Sequence, residues 1–142
     1  MMNMSNESSD PESLDLSGLR ILIVEDSWQL GMAMSGLLRA LGAEVSGPVA
    51  TSAHAQRLAR EQPPDAAIVD FNLRDGELAD GLIDRLHELG IYVVVTTGYT
   101  QLPSVPRHAV DVLHKPVSEM ALLGSLRPIL ARKLTPRTVR LG

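Results

Sequence analysis

Several apolar runs in this chain end in residues that can handle charge. Arg20 to Val24 leads into Glu25 and Asp26, Ala66 to Val69 into Asp70, Ile91 to Thr96 into Thr97, and Val110 to His114 into Lys115. In an open α/β sheet, ligands sit beyond the carboxyl ends of the strands. If these runs are neighbouring strands, three carboxylates, a hydroxyl and a lysine meet at one edge. Carboxylates held together repel, and one pKa rises sharply unless a cation intervenes. An all-oxygen site with positions left for water and phosphate suits Mg²⁺, with Mn²⁺ as a substitute. A carboxylate can also serve as nucleophile toward a phosphoryl group. The metal and a lysine then neutralise the transferring oxygens, and a hydroxyl hydrogen-bonds one of them. The inventory matches phosphorylation of an aspartate.

The elements between these runs are those such a sheet requires. Ser27 to Leu41 carries Leu30, Met34, Leu37 and Leu41 at helical spacing, and Gly42 stops it. Val45 to Val49 reads as a second strand. Thr51 or Ser52 can cap a helix that must end before Pro63 and Pro64. Leu78 to Leu89 is helical and closed by Gly90, and Ser118 starts a last helix in which Pro128 predicts a kink or an early end. Strands alternating with helices imply a parallel sheet with right-handed crossovers. The fold class is therefore α/β, a flavodoxin-like doubly wound sheet of five parallel strands. Its fourth helix should be short or irregular, because Pro103 and Pro106 interrupt the dozen residues between Gly98 and Val110.

Size and composition narrow the functions. The 142 residues suffice for one domain with a proper core. With one Trp, one Phe and two Tyr, that core must be aliphatic. A net charge of −4 leaves no basic footprint for nucleic acid, and the absence of cysteine excludes thiol catalysis and thiolate metal sites. No apolar run is long enough to span a membrane, and the N-terminus has no secretory character. Residues 1–17 are acidic and predict a flexible tail, 18–134 form the domain, and 135–142 are a basic tail. The basic residues after Glu119 suit a solvated helix end.

Here the chain resembles the receiver domain of bacterial two-component response regulators, of the CheY-like type. The matching pieces are ILIVEDS at 21–27, AAIVDFNL at 66–73, VVTTG at 94–98 and HKP at 114–116, in the right order and spacing. The resemblance implies strand order 2-1-3-4-5. It implies that Glu25 and Asp26 orient Mg²⁺, that Asp70 is the phosphoacceptor and also a metal ligand, and that Asn72 gives its backbone carbonyl to the metal. Thr97 would be the switch hydroxyl, with Thr96 as a register alternative. Lys115 would bind the phosphoryl group, with a cis bond to Pro116. The stretch Val95 to Thr100 resembles the FATGUY variant, associated with kinases of the HWE and related families. Two usual aromatics are replaced, by Val112 and Val117, so the common threonine–aromatic coupling is in doubt and ordering of residues 98–110 is the expected signal.

Simpler readings compete. Asp26 or Ser27 could merely cap the first helix. Asp75 and Asp80 suit turns or caps, and His54, His87 and His108 lack metal spacing. His114 should point away from Lys115 across the strand. Trp28 could cover the rim of the site or pack on the first helix, and Met32 and Met34 fill core and surface.

The expected function is a stand-alone, cytoplasmic response regulator and not a separate enzyme. It would accept phosphate from a histidine kinase or histidine phosphotransfer protein. It would then act on an unidentified downstream protein or serve as a phosphate sink, without direct DNA binding or membrane insertion; dimerisation is left open. A degenerate receiver that binds partners without phosphorylation is the main rival. A phosphatase of the haloacid-dehalogenase type would need Asp-x-Asp where Glu25-Asp26-Ser27 stands, and an FMN phosphate would meet two acids.

Overall fold

The computed structural model describes residues 15–73, 79–98 and 106–134. The strands are β1 (Arg20–Val24), β2 (Glu44–Val49), β3 (Ala66–Asp70), β4 (Tyr92–Thr97) and β5 (Ala109–His114). They form one sheet in the order β2-β1-β3-β4-β5, and every pairing is parallel. The helices are α1 (Trp28–Ala40), α2 (Ser52–Glu61), α3 (Asp80–Glu88) and α4 (Glu119–Leu134). The doubly wound sheet and its strand order are as expected.

Successive side chains of a strand point to opposite faces, and both faces are covered here. Leu22 and Val24 of β1, Ala67 and Val69 of β3, and Val93 and Val95 of β4 pack with Ala55 and Ala59 of α2 and Leu82, Ile83 and Leu86 of α3. Their neighbours Ile21, Ile23, Ala66, Ile68 and Val94 pack with Met34 and Leu38 of α1 and Leu122, Leu126 and Ile129 of α4. This explains why β1, β3 and β4 read as unbroken apolar runs, whereas the edge strand β5 is largely exposed.

Two local expectations change. Leu16, placed by the sequence in the tail, is fully buried in the second core, and its N–H donates to Leu41 O at 2.7 Å. Packing thus begins before residue 18. The early end at Pro128 does not occur, since α4 continues to Leu134. A proline inside a helix costs about 3 kcal/mol. Leu126 and Ile129 are buried on either side of it, and each such side chain contributes about 1.5–3 kcal/mol. Burial wins. Between β4 and β5, the described residues 98 and 106–108 hold no helix. The expected short helix, the ordering of 98–110, Asp75, Tyr99, Thr100 and Pro103 fall wholly or partly outside the described residues, as do the tail segments 1–14 and 135–142.

Candidate functional site

The site is assembled at the carboxyl end of the sheet, where β1, β3, β4 and β5 terminate side by side. Glu25 follows β1 and is buried, with its N–H donating to Val49 O of β2 at 2.9 Å. Ser27 caps α1 by accepting from Leu30 N at 3.3 Å, and its own N–H donates to Glu25 Oε2 at 3.1 Å. The cap thereby also orients the neighbouring carboxylate. Asp70 ends β3 and is buried, and Asn72 N donates to Asp70 Oδ1 at 3.2 Å. Lys115 is fixed through its backbone, its N–H donating to Thr97 O at 2.7 Å, and its bond to Pro116 is cis.

One carboxylate oxygen from each of Glu25, Asp26 and Asp70 lies within 4.8 Å of the others. The Lys115 ammonium stands 3.3 Å from both Glu25 Oε1 and Asp70 Oδ2. With all three acids ionised, one lysine leaves two negative charges unbalanced. Burial pushes the Glu25 carboxyl above its ordinary pKa; the Ser27 N–H opposes this, nearby Asp70 adds to it, and Lys115 offsets it in part. For Lys115, burial favours the neutral amine, but Asp70 and Glu25 outweigh it and the pKa is raised. The lysine is firmly cationic and still insufficient.

A hard divalent cation fits this deficit. The donors are all oxygens, and Glu25 Oε1 is buried with only the ion pair to Lys115 and no aligned hydrogen bond. Of the residues singled out from sequence, Glu25, Asp26, Asp70, Asn72 and Lys115 come together directly. Thr97 joins through its carbonyl, and its side chain is fully buried.

Thr96 pairs with Asp70 across β3 and β4, and its carbonyl accepts from Phe71 N at 2.8 Å. Its buried Oγ1 has no hydrogen-bond partner, and the residue lines a cavity of about 230 Å³ beside Lys115, Val117 and Leu122. Ser27's bond to Glu25 went unforeseen, because its cap role was already visible and sufficient. His114, the last residue of β5, is exposed. Among the described residues, no second group of His, Asp and Glu has metal-binding spacing, and no helix is long and apolar enough to cross a membrane.

No family model and no curated protein matches the chain. Solved structures do. A CheY-like response regulator receiver domain protein from Methanospirillum hungatei JF-1 is 25% identical, with a TM-score of 0.72 over 81% of this chain and 95% of that one. The signal receiver domain of a modulated diguanylate cyclase from Desulfovibrio desulfuricans G20 gives the same identity, TM-score and coverage. The response regulator PhyR from Brucella abortus, 21% identical, superposes at a TM-score of 0.79 over 96% of this chain, which spans 57% of that structure.

Proposed function

We propose that this chain, a CheY-like receiver domain by its fold, is the phosphoacceptor of a two-component phosphorelay and is modified on Asp70. The observation that carries the proposal is the convergence of Glu25, Asp26 and Asp70 within 4.8 Å, with Lys115 across the cluster. The phosphodonor is a histidine kinase or a histidine phosphotransfer protein. An Asp70 carboxylate oxygen attacks the phosphorus, the phosphorus–nitrogen bond to the donor imidazole breaks, and the imidazole leaves with that electron pair.

The chain's own groups have distinct parts in this reading. Lys115, already 3.3 Å from Asp70 Oδ2, neutralises the charge carried by the transferring phosphoryl oxygens. Asn72 N, bonded to Asp70 Oδ1, holds the nucleophile in one orientation. Glu25, Asp26, Asp70 and the Asn72 carbonyl would hold Mg²⁺, which supplies further charge neutralisation when bound. Thr97 is assigned the hydroxyl that meets the phosphoryl group. The modified domain signals through protein–protein contacts or drains phosphate from a shared donor, chemistry that belongs to the cytoplasm.

The test is incubation of the protein with Mg²⁺ and acetyl phosphate, followed by intact mass. Wild type gains one phosphoryl group, while Asp70→Asn and metal-free wild type gain none. An unmodified wild type under these conditions contradicts the proposal.

A further inference from the structure

We infer that Gly31 and Pro48, neither of which touches the reacting groups, are positioning residues that set the acidic loop Glu25–Ser27 for the metal. The inference rests on the receiver reading above. Its basis is a close approach between α1 and β2. A Cβ placed on Gly31 would lie 2.6 Å from Pro48 Cβ and 2.8 Å from Pro48 Cγ, and 3.7 Å from Glu25 Cβ. No side chain fits there without displacement. Pro48 has little room to yield, because the residue before it, Gly47, has φ +91° and its own Cβ would meet Ile23 O at 2.4 Å. That backbone conformation favours glycine. The pairing of β1 with β2 shifts register at the same place, between Leu22 and Val24.

These contacts enclose the loop from two sides. Glu25 N donates to Val49 O, one residue beyond Pro48, so β2 fixes the start of the loop. Gly31 N donates to Ser27 O at 2.9 Å, so the first turn of α1 fixes its end. Ser27 N in turn holds Glu25 Oε2. The Gly31–Pro48 contact sets the distance between those two anchors. Adding a Cβ to Gly31 must move either the first turn of α1 or the end of β2, and each movement carries Glu25 and Asp26 with it. The sequence holds a hint of this, since a glycine inside a helix and another inside a strand often mark close backbone approach.

The experiment is Mg²⁺ titration of the full chain by calorimetry, with amide NMR spectra recorded alongside. Gly36, also in α1, has nothing within 4 Å of an added Cβ and serves as the control. Gly31→Ala weakens Mg²⁺ binding by about 10-fold, the scale seen when groups that orient metal ligands are disturbed. It also shifts the amides of Glu25 to Ser27. Gly36→Ala, with the same gain in helix propensity, leaves both unchanged. In a Pro48→Gly background, Gly31→Ala has no further effect on affinity, which identifies the proline as the partner. If Gly31→Ala does not fold, the double variant must, since the clash is gone. Equal affinity of Gly31→Ala and wild type, an equal loss in both backgrounds, or an unfolded double variant overturns the inference. Absence of Mg²⁺ binding by wild type instead overturns the receiver reading itself.

Discussion

Carboxylates stand at both edges of the sheet, and their surroundings differ. At the amino edge, Asp65 precedes β3. Its Oδ2 accepts from Arg20 N at 2.8 Å and from Lys133 Nζ at 2.9 Å, while its backbone bonds Arg20 O and Tyr92 N. Each contact ties one element to another: β1, β4 and the end of α4 all meet there. At the carboxyl edge, three acids share one lysine, and a buried Glu25 oxygen lacks an aligned donor. The first arrangement is a satisfied structural staple. The second costs stability as it stands, and in the proposed reading a bound cation would relieve it. The same residue type thus holds the fold together at one edge and is kept available for chemistry at the other.

The largest expected effect is a reciprocal loss. Asp70→Asn removes all phosphoryl transfer while leaving the denaturation midpoint near that of wild type or higher. Asp65→Ala keeps phosphorylation and lowers stability by about 0.5–1.5 kcal/mol, the net contribution of a typical hydrogen bond, since its partners Arg20 and Lys133 are exposed. Urea titration and a phosphorylation assay on both variants check this; a loss of phosphorylation in Asp65→Ala would erase the distinction between the edges.

Mg²⁺ should next stabilise only through the carboxyl edge. At about 100 times its dissociation constant, a ligand bound by the native state alone adds about 2.7 kcal/mol. Thermal melts should show this rise for wild type and for Asp65→Ala, but not for Asp26→Asn. An equal rise in Asp26→Asn would move the metal elsewhere.

A smaller effect concerns pH in the metal-free protein. Burial raises the Glu25 pKa, so its contribution is favourable below the unfolded carboxylate range and is lost as pH rises through the folded value. Glu25→Gln is therefore more stable than wild type at neutral pH, and the advantage shrinks on acidification. Stability curves against pH that stay parallel would show that Glu25 is not strained. The smallest difference separates the two threonines. Thr96→Val removes a buried hydroxyl without a partner and changes stability by less than about 1 kcal/mol, with phosphorylation intact. Thr97→Ala slows acetyl phosphate labelling; the reverse ranking would transfer the switch role to Thr96.

Much of this was legible in the sequence because strand ends determine the site. Parallel strands buried on both faces read as continuous apolar runs, so the ends of β1, β3 and β4 could be placed to within one residue. Asp70 and Lys115 followed from position alone. The fate of Pro128 was hidden because it depends on burial of Leu126 and Ile129 against other strands, which a local rule does not see. Leu16 was hidden for a similar reason: one leucine in a polar stretch carries no periodicity. The Asp65 staple was also silent, since its partners lie 45 and 68 residues away in the chain. The close contact of Gly31 with Pro48 needed the structure, because it joins a helix and a strand that a local pattern reads separately.

The most direct measurement maps the phosphoryl linkage. After labelling with acetyl phosphate and Mg²⁺, borohydride reduces an aspartyl phosphate to homoserine, which peptide mass spectrometry then locates. Homoserine is expected at position 70 and at no other aspartate. Conversion at Asp26 or Asp65, or none anywhere in protein that has bound Mg²⁺, would contradict that.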